Sequence, residues 1–165
     1  MSARAGADRD PLRRWAWAVP VVYAVHVAEE APGFASWARR HTSPGYTDRD
    51  FVLINGAGFA LTLGATAVAA RVDHRRVFLA WYALVLTQQA LFNPVFHAAT
   101  TVAYHEYSPG LVSSVALFLP VWGAVTRLAL RGGHLTRRHV AASAAVGGVL
   151  HSAALAQQVF RPFSR

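Results

Sequence analysis

The stretch Trp15-Ala16-Trp17-Ala18-Val19-Pro20-Val21-Val22-Tyr23-Ala24-Val25-His26-Val27-Ala28-Glu29-Glu30 decides how this chain is read. It begins as an uncharged, largely apolar run and ends in a histidine and two carboxylates within about one helical turn. Ionisable side chains inside or at the edge of a bilayer span are costly, and by default they mark function. The rest of the chain says which solvent surrounds that run. Of its 165 residues 54% are hydrophobic, the mean hydropathy is positive, and long runs are nearly free of charge, which a soluble domain of this size rarely carries.

Five segments are expected to cross the membrane: residues 12–30, 51–70, 77–103, 111–130 and 140–160. At 1.5 Å per residue each covers a hydrocarbon core of ~30 Å. The apolar runs are continuous rather than alternating, which argues against β structure. The expected fold is therefore all-α, a polytopic transmembrane helical bundle of about five spans. It forms one integral membrane domain over residues 1–165, with 1–11 as a cytoplasmic tail, in a multi-pass protein of the cell membrane. No repeat or low-complexity segment breaks the chain.

Arg13 and Arg14 before an apolar run resemble the start of a secretory signal. No small-residue cleavage site follows, and the run ends in His and Glu, so a retained first helix is expected. Cysteine is absent, which excludes disulfides and thiolate metal sites. All sixteen basic residues are arginine, as a GC-rich bacterial genome would favour, and the net charge of +8 is not read as nucleic-acid affinity. Its distribution gives a topology instead. With the N-terminus inside, Arg4, Arg9, Arg13, Arg14, Arg71, Arg75, Arg76, Arg127, Arg131, Arg137 and Arg138 are cytoplasmic, while Arg39, Arg40, Arg49, Arg161 and Arg165 lie outside. Eleven against five satisfies the positive-inside rule and puts the C-terminus outside. Between the first two spans, Pro32-Gly33 and Pro44-Gly45 bracket residues 34–41, expected as a short interfacial helix with Trp37 at headgroup level.

Rise per residue then places the polar residues by depth. His26 lies about 18 Å above Arg14, Glu29 and Glu30 a little over 20 Å, and His151 about 20 Å above Arg138. On the third span Gln89 and Asn93 come out at about 20 and 26 Å above Arg76, and His97 at about 31 Å unless tilt or a kink at Pro94 lowers it. Asn55 enters from the other side, about 7 Å below Asp50. Facing agrees with depth. His26, Glu29 and Glu30 occupy an arc of about 100°, with Tyr23 on the same side. Gln89, Asn93, His97, Thr100 and Tyr104 form one stripe, and Ser143, Gly147, His151 and Gln158 another. His105 is expected to pair with its neighbour Glu106 at the interface.

Singly, each residue has an ordinary explanation. A membrane histidine is most often hydrogen-bonded packing, and Gln89 and Asn93 can bond across helices at about 0.6 kcal/mol each. Gly56, Gly58, Gly64, Gly147 and Gly148 suit close helix packing. Tyr107-Ser108-Pro109-Gly110 reads as a turn opening the fourth span. Several histidines and two glutamates converging on one depth ask for a stronger reason.

His26-x-x-Glu29-Glu30 near the end of a first span, Asn93-x-x-x-His97 in a middle span and Tyr107-Ser108-Pro109-Gly110 leading into the next one resemble the bacterial HXXEE-motif membrane proteins. The resemblance covers residues 12 to 160, and His151 matches the histidine sought in the last span. It implies a membrane protein and little about activity, because the family's function is unknown.

The residues themselves support several chemistries. In a membrane metalloenzyme, His26, Glu29, Glu30, His97 and His151 are the candidate ligands for a divalent ion, zinc or iron. Asn93, Gln89 and Asn55 would contact the bound group or orient a ligand. A glutamate would serve as base toward a lipid-like or hydrophobic substrate drawn from the bilayer. In a metal-free alternative, His26, Glu29 and Glu30 divide proton donor from acceptor in an isomerase or cyclase of an isoprenoid or other lipid. The tryptophans at 15, 17, 81 and 122 would then line an apolar or cation-stabilising pocket. Transport of protons or a divalent cation is a third reading, weakened by the polar-poor inner half and the lack of an inverted repeat. An accessory subunit with a structural His/Glu network is a fourth.

Overall fold

The structure is a computed structural model that describes residues 9–159, with the side chains of 11–156. Arg4, Arg161, Arg165 and the side chain of Gln158 lie outside the described residues, as do the start of the expected tail and the end of the last expected span. Every regular element among the described residues is helical.

Helix α1 spans Arg9–Glu30. Its buried positions Leu12, Ala16, Val19, Val22, Tyr23, His26 and Glu30 recur at helical spacing, so one seam continues from aliphatic side chains directly into the polar pair. Helix α2, Phe34–His41, follows after a tight connection. Helix α3, Asp48–Arg71, opens on a capping box in which Thr47 Oγ1 accepts from the Asp50 amide and the Asp50 carboxylate accepts from the Thr47 amide.

The third expected span is a broken helix. It runs as α4 (Arg75–Trp81), a wide π turn at Tyr82–Thr87, α5 (Gln88–Ala90) and α6 (Phe92–Tyr104). The break at Leu91 lies three residues before Pro94, whose ring excludes the carbonyl of residue 90 from a regular helix. The fourth opens as α7 (Leu111–Ser113), widens at Ser114–Phe118 and continues as α8 (Leu119–Arg131). Helix α9 is Arg137–Val159.

Helices α3, α7 through α8, and α9 up to Ala156 are long and apolar enough to cross a membrane. Several of their large apolar residues face outward, with Leu61 and Val149 each 69% exposed. Water would penalise such surface, whereas lipid does not. The chain is a multi-pass membrane protein. α1 carries too many polar groups to meet the same criterion, and the third span is divided by its π turn.

α1 packs between α3 and α8, and α9 lies along the π turn and α5. Gly147 permits that last approach, since a Cβ there would stand 3.1 Å from the Gln88 backbone nitrogen. Gly58 lets Tyr23 lie against α3, whereas Gly56 and Gly64 have open space where a Cβ would go. The main core joins α1, residues 81–90 and α8. A second core under α2 holds Phe34, Trp37, Tyr46 and Phe51. Trp37 is 1% exposed and packs its ring against Phe34, Phe96 and Tyr104.

Candidate metal centre

The buried seam of α1 ends in His26 and Glu30, which stand one turn apart and share a face. Glu29 lies about 100° round the helix from Glu30 and leaves that face. His97 comes from α6, beyond the break before Pro94. Its ring centroid comes within 5.0 Å of that of His26, nearly edge-on. The three side chains are buried, and one ligand atom from each lies within 4.8 Å of the others. Glu30 Oε1 stands 3.5 Å from His26 Nε2 and 3.4 Å from His97 Nε2.

Two serines bind the far nitrogens of the rings. His26 Nδ1 is 2.9 Å from Ser113 Oγ, whose hydroxyl is directed to the Gly110 carbonyl at 3.4 Å and so accepts from the ring. That assigns the His26 proton to Nδ1 and leaves Nε2 with a lone pair, which receives the Asn93 amide at 2.9 Å. His97 Nδ1 is 2.8 Å from Ser108 Oγ, and its Nε2 is buried without a hydrogen bond.

Between the serines Gly110 sits at φ 105°, the left-handed region that favours glycine. A Cβ there would lie 2.6 Å from His26 Cε1 and 2.7 Å from His97 Cε1. The turn is packed onto both rings. Glu29 holds this turn in place. Its carboxylate accepts from the Tyr107 hydroxyl, from the Val112 amide at 3.1 Å and from the Ser113 amide at 2.7 Å, which also caps the start of α7. Burial, and then the adjacent Glu29 carboxylate, push the Tyr107 phenol above its ordinary pKa, so it remains a donor.

His26 and Glu30 of the triad line a cavity of about 310 Å³ between α1, α3, α9 and the broken third span. Asn55 lines it and accepts from the Tyr23 hydroxyl at 3.2 Å. Gln89 lines it too, but donates to Thr62 at 3.2 Å rather than meeting the triad. His151 faces the same cavity outside the triad, with Nδ1 accepting from Gln88 at 3.2 Å and a buried Nε2 without a partner. Of the five proposed ligands the structure thus groups His26, Glu30 and His97, directs Glu29 to the turn and leaves His151 across the cavity lining. His105 caps α6 in a left-handed conformation, and Glu106 pairs instead with Arg40 and His41.

Ser108, Gly110 and Ser113 were missed as site residues by reasoning from sequence. Their signal was present in Tyr107-Ser108-Pro109-Gly110, which explains a turn equally well when nothing shows what the turn touches.

The donor set suits a divalent ion: two imidazoles and a carboxylate, without sulfur, are ligands for zinc or non-haem iron. A buried His/Glu/His triad able to coordinate such an ion therefore lies beside membrane-spanning helices. No curated protein and no solved structure matches the chain. A family described as a protein of unknown function with HXXEE motif matches residues 17–125, from α1 into α8. The match covers more than half of the sequence and includes His26, Glu29 and Glu30, so the chain belongs to the HXXEE family.

Proposed function

We propose that the protein is a membrane metalloenzyme in which His26, Glu30 and His97 hold a divalent ion, zinc or iron, and act on a hydrophobic, lipid-like substrate. One observation carries the reading. Two imidazole nitrogens stand 3.4 and 3.5 Å from Glu30 Oε1, and neither is hydrogen-bonded to it. Hydrogen bonds of this type are shorter, at about 2.7–3.2 Å. Ligand atoms around a tetrahedral ion with bonds of about 2.0–2.2 Å stand about 3.3–3.6 Å apart. Both spacings to Glu30 Oε1 fall in that range, which supports the reading.

Bound there, the ion supplies Lewis-acid polarisation of a substrate oxygen. The chain's own residues do the remaining work. Ser108 and Ser113 orient the imidazoles, as partners of the non-ligating nitrogen do at metal sites. Asn93 donates to His26 Nε2 and would have to release that lone pair to an ion, which frees its amide for the substrate. Glu29 acts on the site through the turn rather than by ligation. The two glutamates of the motif thereby divide ligand from support.

The arginine distribution favours five crossings in a single membrane domain with the N-terminus inside, which puts the triad in the outer half of the bilayer. The supporting test is metal analysis by mass spectrometry on the purified full chain, beside Glu30→Gln and His97→Ala. Near-stoichiometric zinc or iron, lost in both variants, is expected. A folded wild type that stays metal-free after incubation with each ion overturns the reading.

The near-equal placing of Glu30 Oε1 between two imidazoles also favours a second reading, proton transfer in a metal-free isomerase or cyclase. The metal-free outcome selects it.

A further inference from the structure

From the same cavity we infer that the substrate is a long-chain lipid with an uncharged oxygen head, an alcohol or a carbonyl, entering sideways from the bilayer. This rests on the proposed action on a hydrophobic, lipid-like substrate and extends it to the cavity, the route and the chemistry of the head.

The route follows from the rim. Leu61, Leu84 and Leu150 line the cavity and are 69%, 50% and 41% exposed. They come from α3, the π turn and α9, three elements of the spanning region. Counted from Arg71, Arg75 and Arg137 at the arginine-rich ends, they lie about 14–20 Å along their spans, near the middle of a ~30 Å hydrocarbon core. An opening edged by leucines at that depth faces acyl chains rather than water.

The head follows from what lies past the rim. Apart from His26, Glu30 and His151, the polar lining is neutral amide and phenol, with Asn55, Gln88, Gln89 and Asn93 beside two tyrosines, and among the described residues no arginine contributes. Because Gln88 donates to its Nδ1, His151 carries its proton on Nε2, which is buried and has no acceptor. A substrate oxygen supplies one. A phosphate or carboxylate head would have to pass the leucine rim in mid-bilayer, where charge is costly, and beyond the triad and the ion it holds would find no arginine to pair with.

The other cavity shows the contrast. It holds about 300 Å³ at the opposite end of the bundle, and its lining includes Arg13, Arg75, His74 and His134 beside Asp73. Two guanidinium groups there suit an anion, whereas among the described residues no arginine lines the triad's cavity. At roughly 30 Å³ for a water-sized group, 310 Å³ receives a head and its first carbons while the chain remains in lipid.

The test is photolabelling of the full chain in liposomes with diazirine-bearing hexadecanol. Peptides are mapped by mass spectrometry, and metal is measured on the same samples. Labelling within 54–61, 84–93 and 150–155 is expected, displaced at least tenfold better by hexadecanol than by hexadecyl phosphate. Leu84→Trp and Leu150→Trp, which fill the rim without touching the triad, should lose most of the label and keep the wild-type metal content. Equal displacement by the phosphate overturns the inference, as does label spread evenly over the lipid-facing surface. Should either variant misfold, the wild-type competition decides alone. Metal without specific labelling sinks this inference only, and specific labelling without metal sinks only the metal reading.

Discussion

At the scale of single residues the adjacent Glu29 and Glu30 have different neighbours and should fail differently. Glu30→Gln removes a ligand from a buried cluster, so metal should be lost while the helices persist. Glu29→Gln leaves the triad in place but removes charge from a group accepting from two amides and a phenol. Hydrogen bonds to charged groups are worth about 1.5–3 kcal/mol, so a loss of about 2 kcal/mol is expected, with metal retained at saturating concentration. Thermal unfolding in detergent together with metal content separates the two, and equal metal loss in both variants would sink the division of roles. Gly110→Ala tests the turn from the other side. Its Cβ would strike both imidazoles, and the left-handed backbone adds strain. A destabilisation of about 1–3 kcal/mol with weakened metal binding is expected.

At the scale of elements, the ends of α2 and α3 carry the charge chemistry outside the spans. Thr47→Ala removes the side-chain half of the α3 cap and should cost about 1 kcal/mol, read as a lower unfolding temperature. Glu106 joins α2 to the end of α6. The hydrogen bond from His41, and then that from Arg40, hold its carboxyl below the ordinary carboxylate pKa. A depressed carboxylate stabilises the fold above its unfolded pKa, and that contribution disappears as pH falls through the folded value. Wild type should therefore lose stability relative to Glu106→Gln on acidification below about pH 4.5. Parallel unfolding temperatures for the two proteins from pH 7 to pH 3 would refute the pairing.

At the scale of the whole molecule the outstanding prediction is topology. The chain contains no cysteine, so single introduced cysteines report without background. With the N-terminus inside, Thr42→Cys should react with a membrane-impermeant maleimide in intact cells, and Thr136→Cys only after permeabilisation. The reverse pattern would invert the bundle. Reaction of both in intact cells would overturn the odd number of crossings expected between them.

The sequence by itself determined that the chain is helical and enters membranes, because long uncharged runs have no other inexpensive environment. It also marked His26, Glu30 and His97, since ionisable groups in such runs are costly enough to be conspicuous in one chain read alone. Seam spacing along α1 carried His26 and Glu30 to one face. Only the tertiary structure decided between the glutamates, because both fall within one arc of the helix until packing fixes its rotation. It alone decided that His97 meets them, in a segment whose π turn and break straight-helix counting does not contain. The roles of Ser108, Gly110 and Ser113 are likewise tertiary. They are contacts across more than 80 residues for Ser113 and His26, and no local periodicity encodes such a pairing.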